Sequence, residues 1–203
     1  MPSEERPASY DPETHDRRSI RLKGYDYSQA GAYFVTLVVR DRSCLFGGVV
    51  DGAVQLNDAG RLVVDSWERL AARHPYVTLD EYVVMPNHMH GIIAIANQCR
   101  GGSRTAQTRP RRQPLGRMIG AFKTVSTKRL NLARKTPGGK VWQRNYYERV
   151  IRNDEELTAI REYIVNNPVR WELDKYNPET RSKPTRPDSR GARQAGEDRS
   201  ATR

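Results

Sequence analysis

Two pairs of residues in this chain have types and spacings that could do chemistry. His88 and His90 flank Met89 in the run MPNHMHGII. On a strand, side chains alternate at period two, so both imidazoles would point to one face, where they could share a metal ion. Tyr163 and Asn167 stand four residues apart in REYIVNNP. On a helix that spacing brings both to one face, with Cβ atoms about 5–6 Å apart. A metal held by two imidazoles and one amide oxygen keeps positions open for phosphate oxygens and polarises a phosphodiester toward attack. A phenol with an ordinary pKa of about 10 needs a cation or base nearby to become a competent nucleophile. Its covalent adduct conserves the energy of the broken bond, which suits cutting followed by rejoining.

Each pair also has a plain structural reading. Histidines near a turn are often satisfied structural residues, and spacing alone does not separate that role from ligation. A tyrosine at the edge of an apolar stripe can serve as amphipathic packing, and an asparagine before proline can simply end a helix. His15 falls in the N-terminal segment and His74 at a helix end, and neither is given a role.

The elements that must position these groups follow from periodicity. Ala32–Val39 is β-branched and aromatic, as in a buried strand, and Gly47-Gly48 with Asp51-Gly52 punctuate a hairpin reaching Gln55 and Leu56. Asn57 opens an amphipathic helix with Leu62, Val63, Trp67 and Leu70 on one face, ending near His74-Pro75. Tyr76–Ala96 reads as two strands with Pro86-Asn87 as the turn. The second strand would place Ile92 on the histidine face and Met89, Ile93 and Ile95 on the other. Pro114 to Arg134 has Leu115, Met118, Ile119, Phe122 and Val125 at helical spacing. After Pro137-Gly138-Gly139, VWQRNYYERVI is strand-like, and Asn153 to Glu156 is a capping-box start for a last helix that runs to Pro168. An antiparallel sheet with flanking helices, an α+β fold, assembles these pieces. One domain over 20–175 is expected, with a basic loop at 98–113 and polar tails at 1–19 and 176–203 that lack periodicity.

Lysine and arginine outnumber acids 35 to 24, a net charge of +11, which favours a polyanionic partner. Arg111, Arg112, Arg117, Lys123, Lys128, Arg129 and Arg144 are the candidate DNA-binding cations. Cys44 and Cys99 have no CxxC spacing, so neither a metal cage nor a disulfide framework is indicated. The N-terminus has no apolar signal core, and no apolar run approaches the roughly 20 residues that span a bilayer. No membrane partner and a cytoplasmic, nucleoid-associated location are the expectations.

Three motifs in order, MPNHMHGII, WQRNYYERVIRN and REYIVNNPVR, resemble those of the REP-associated tyrosine transposases, relatives of the single-tyrosine HUH transposases of bacterial insertion sequences. The likeness covers about residues 24–171. It implies a four- or five-stranded antiparallel HUH-type sheet with flanking helices in a ferredoxin-like arrangement. It further implies that His88, His90 and Asn167 bind Mg or Mn and that Tyr163 is the nucleophile. The substrate implied is single-stranded DNA with imperfect palindromic hairpins, cut and rejoined through a 5′-phosphotyrosine. A catalytically silent DNA- or RNA-binding regulator on the same fold is the alternative. A monomer is the expected state, with a homodimer as the other option. Tyr146 and Tyr147 are rival nucleophiles by residue type, but they lie in a strand-like segment, where base stacking or core packing suits them better.

Overall fold

The computed structural model describes residues 24–97 and 112–182. The expected 1–19 tail, residues 98–111 of the basic loop with Cys99 and Arg111, and the C-terminal segment from 183 lie outside the described residues.

The elements run β1 (Gly31–Val38), β2 (Gly47–Val50), β3 (Ala53–Leu56), α1 (Asp58–Arg73), β4 (Val77–Val84), β5 (His88–Ile95), α2 (Leu115–Arg134), β6 (Tyr147–Ile151) and α3 (Asp154–Val165), followed by a 3-10 turn at Trp171–Leu173 and a short α4 (Pro178–Ser182). Four strands form one antiparallel sheet in the order β4-β5-β1-β6. With the β2–β3 hairpin set aside, β1, α1, β4, β5, α2 and β6 make a βαββαβ unit with the strand order of a ferredoxin-like fold. The α+β expectation holds, with four strands in the main sheet.

Alternation decides which face each strand buries. Tyr33, Val35 and Leu37 of β1 and Met89, Ile93 and Ile95 of β5 point to one face, where Val63, Trp67 and Leu70 of α1 and Met118, Ile119 and Phe122 of α2 complete the larger core. The Trp67 and Phe122 rings meet edge-to-face with centroids 5.4 Å apart. The opposite face carries a smaller cluster, Phe34, Ile92, Ile151 and Ile164, flanked by Leu157 and Ile160. Two helices thus cover one face, and α3 sits on the other. Arg161 ties α3 to β4 by donating from Nε and Nη2 to the two carboxylate oxygens of Asp80, at 2.7 and 2.6 Å.

Local chemistry sets the boundaries. Asp51 (φ 50°) and Gly52 (φ 72°) both adopt left-handed backbone, which lets a two-residue turn close the β2–β3 hairpin with matching twist. Asn57 caps α1 by accepting from Gly60 N–H at 3.0 Å. Asn153 caps α3 by accepting from Glu156 N–H at 2.8 Å, while Glu156 accepts in return from Arg152 N–H at 2.9 Å.

Two elements are shorter than their sequence pattern predicts. VWQRNYYERVI does not run as one strand. Val141 to Gln143 pair with the end of β1, and the regular ladder resumes only at Tyr147. In the break between them, Lys123 Nζ donates to the carbonyls of Gln143 and Asn145 at 2.9 and 3.0 Å, satisfying acceptors that no strand partner takes up there. α3 ends at Val165, two residues before Asn167, because Pro168 disfavours helical backbone at the residue before it. A tight turn follows, with Asn167 N–H bonded to Ile164 O at 3.2 Å, and the Asn167 side chain still lies beside Tyr163.

Candidate active site

Both histidines stand on the α3 face of β5 and are almost wholly removed from solvent. Their Nε2 atoms approach to 3.1 Å. Each ring is held from behind through Nδ1: His88 faces Asn87 Oδ1 at 2.9 Å, and His90 faces Thr36 Oγ1 at 2.8 Å, Thr36 being its direct cross-strand partner on β1. Asn87 Nδ2 donates to the carbonyls of Arg42 and Tyr176, so its Oδ1 must be the atom facing the ring, and His88 Nδ1 must donate. That leaves the lone pair of His88 on Nε2, pointing into the site. A ligating histidine is oriented in the same way, by a partner at its other nitrogen.

Tyr163 and Asn167 arrive from α3 and the turn after it. Ile164 is buried against Phe34, Ile92 and Ile151 and fixes the helix, and Tyr163 beside it reaches His90 Nε2 with its hydroxyl at 3.3 Å while remaining 38% exposed. The Phe34 ring stacks on His90 and stands edge-on to Tyr163. Asn167 is buried among Tyr163, His88 and Asp174, whose ionisation its amide influences, and its Oδ1 has no hydrogen-bond partner. A buried amide oxygen left unpaired needs an explanation, since burial without a partner is costly.

A fifth group, Asp174, carries no signal of its role in the sequence. Asp174, just past the 3-10 turn, brings Oδ2 to 3.7 Å from His88 Nε2, and its side chain is 7% exposed. The ligand atoms of His88, His90 and Asp174 all lie within 4.8 Å of one another. The same segment roofs the site: Trp171 stacks on His88 and Tyr176 packs on it with ring centroids 4.7 Å apart. Tyr176 and Asn177, at the start of the expected C-terminal tail, are therefore part of the packed structure. Sequence likewise assigns no role to Thr36 and marks Asn87 only as a turn residue.

The electrostatics follow from burial. Burial pulls the His88 pKa down to about 3 and that of His90 well below its ordinary 6.5, so both rings are neutral and able to ligate. The His88–Asp174 approach is thus no salt bridge. Burial raises the Asp174 pKa, opposed by the Tyr176 backbone N–H and the Lys175 charge. Burial also raises the Tyr163 pKa, with Asp174 and Tyr176 adding to it, so by themselves the surroundings make the phenol less nucleophilic. Two neutral imidazoles, an orphaned amide oxygen and a buried carboxylate form a donor set that fits a divalent cation.

The candidate DNA-binding cations are dispersed. Arg117, Lys128 and Arg144 are exposed. Lys128 and Arg144 line a groove beside α2 with Lys140 and Lys123. The Lys123 ammonium is engaged by carbonyls, and burial lowers its pKa to about 8. Arg129 binds Asp65 and donates to Ser66 Oγ, and Arg112 Nη1 lies 3.5 Å from Ser28 O. None of the described candidates lines the cavity walled by Tyr163. No helix among the described residues is long and apolar enough to cross a membrane.

No family model matches the chain. An uncharacterized protein of Haemophilus influenzae is 42% identical over 174 residues, covering 81% of this chain and 95% of that protein. A second protein of that organism, named "putative REP-associated tyrosine transposase", is 24% identical over 155 residues, covering 71% of this chain and 74% of its own length. A solved structure of a REP-associated tyrosine transposase bound to a REP hairpin aligns with a TM-score of 0.48 and 19% identity, over 74% of this chain and 73% of that one. The chain belongs to the family of the 42%-identical Haemophilus protein, and its sequence resembles the REP-associated tyrosine transposases.

Proposed function

We propose that this chain is a transposase-like enzyme that binds single-stranded DNA hairpins of the REP type and cleaves and rejoins them through Tyr163. The carrying observation is the convergence of the Tyr163 hydroxyl, the two Nε2 atoms and the unpartnered Asn167 oxygen. The sequence likeness to a named REP-associated tyrosine transposase supports the same reading.

His88, His90 and Asn167 would hold the metal, with Asp174 near enough to contribute a carboxylate oxygen. Such an ion, Mg or Mn, supplies positive charge that polarises the phosphodiester and favours the phenolate of Tyr163. An amide and a carboxylate oxygen beside two nitrogens suit these ions better than imidazoles alone, since magnesium prefers oxygen. Asn87 and Thr36 hold the imidazoles in register, and Ile164 and Phe34 aim the phenol. Tyr163 Oη forms a bond to phosphorus as the bond from phosphorus to the 3′ oxygen breaks. The phenolic proton leaves to solvent, and the freed 3′ oxygen takes one up. The product is a 5′-phosphotyrosine and a 3′-hydroxyl, with the number of phosphoester bonds unchanged, so the same atoms can run the step backward. Exposed Arg117, Lys128 and Arg144 are suited to the hairpin backbone.

Labelled hairpin oligonucleotides incubated with the protein and Mn or Mg, then run on a denaturing gel, test the proposal. A metal-dependent covalent band that vanishes in Tyr163→Phe is expected. Hairpin binding without a band would favour a silent DNA-binding regulator, and unchanged cleavage in Tyr163→Phe would point to attack by water.

A further inference from the structure

With Tyr163 as one wall, β1, β6 and α3 flank an open cavity of about 690 Å³, within the range of about 300–1,000 Å³ usual for ligand pockets. The metal site does not use it. Its lining combines three aromatic rings with two arginines, Arg149 and Arg152, and two carboxylates, Glu155 and Glu156. Phe34 is its floor, 7% exposed, and the rings of Tyr147 and Tyr163 stand steeply to that floor, at 69° and 84° with centroids 6.3 and 6.0 Å away. Both tyrosines, Tyr147 on β6 and Tyr163 on α3, are open to solvent, at 44% and 38%, although a large aromatic ring gains by burial. Arg149 and Arg152 lie at the cavity too, and Arg149 is held by Glu156 at 2.5 Å.

Register explains the grouping. Phe34 pairs with Arg149, and Tyr147 with Thr36, so Tyr147 and Arg149 project from the face of the sheet that carries the histidines. β6 is an edge strand, so the cavity opens where the sheet ends, and a chain could enter from that side.

We propose that this cavity is a nucleobase subsite. It takes one unpaired base of the strand being cut, next to the scissile phosphodiester, and stacks it on Tyr147, with Arg152 at the adjoining phosphate. The assignment rests on the cleavage reading above, because the shared wall, Tyr163, places any base held here beside the attacked phosphorus. Aromatic stacking accepts every base, so the subsite supplies grip and registration of the cut, and sequence preference only where a base edge meets the polar rim. Tyr147 is on this account a substrate-binding residue and not a rival nucleophile.

The test uses the full chain and DNA hairpins with single-stranded flanks, in which each flanking nucleotide in turn is replaced by an abasic site. Binding is read by fluorescence anisotropy, and cutting by the covalent band. Stacking is worth about 1–3 kcal/mol per base, so one abasic position is expected to weaken wild-type binding by roughly 5- to 150-fold. Tyr147→Ala should weaken the intact hairpin similarly and abolish that abasic penalty, and Tyr147→Phe should restore both. A Tyr163-dependent band with an abasic profile indifferent to Tyr147→Ala would overturn the subsite and leave the cleavage reading intact. Absence of both binding and band with every hairpin would overturn the two together.

Discussion

Two neutral imidazoles packed without solvent make the fold sensitive to acid, and the size of the effect can be worked out. His88 is fully buried, and burial takes its pKa from 6.5 down to about 3, with the neighbouring Asn167 side chain acting in the opposite direction. An unfolded chain titrates histidine near its ordinary value. Between those two values the unfolded state therefore binds a proton that the folded state refuses, and stability rises with pH. Lowering the pH from about 6.5 toward 3 removes stability, up to a ceiling of roughly 5 kcal/mol at about 1.36 kcal/mol per pKa unit. His90 shifts in the same direction and adds to the loss. Domains are stable by about 5–15 kcal/mol, so this one group can decide acid unfolding. The assay is urea unfolding in a chelator across that window, comparing wild type with His88→Gln, which keeps a polar side chain but does not titrate. Wild type should lose several kcal/mol more than the variant as pH falls. Parallel curves for the two proteins would refute a buried, neutral His88.

Thr36→Val removes the partner of His90 Nδ1 while keeping side-chain shape; Mn affinity by calorimetry should fall by about 10- to 100-fold with the fold intact, and unchanged affinity would contradict a ligating His90. Asn167→Ala should abolish most Mn binding, with Asn167→Asp restoring it through a carboxylate oxygen. Ile164→Ala should cost about 2–5 kcal/mol in denaturant unfolding and loosen α3 in hydrogen exchange, because Ile164 is the buried residue on which that helix docks. Gly91→Ala should destabilise by about 1–3 kcal/mol, since a Cβ there would lie 2.6 Å from the Trp67 ring; equal stability would mean that the ring can shift freely.

What could be read from the sequence was whatever obeys a short period. Strand alternation put His88, His90 and Ile92 on one face and Met89, Ile93 and Ile95 on the other, as found. Tyr163 and Asn167 lie together although the helix stops at Val165, because a turn closed by Asn167 N–H to Ile164 O follows it directly. What escaped was long-range. Thr36 meets His90 from 54 residues away, and Asn87 reaches Tyr176 across 89. Asp174 sits in a stretch without periodicity; its nearest signal is the cluster of Trp171, Asp174 and Tyr176 just beyond Asn167. Lys123 reads as a free cation in a list of charges, and only the fold brings carbonyls 143 and 145 to it.

The most direct test of Tyr163 as the nucleophile is mass spectrometry of the trapped adduct. Protein incubated with Mn and an abasic-free hairpin is digested with nuclease and protease, and the peptide carrying the residual nucleotide is sequenced. The account predicts a phosphodiester-linked nucleotide on Tyr163. A nucleotide on Tyr147 or Tyr146, or cleaved DNA with no modified tyrosine, would contradict it.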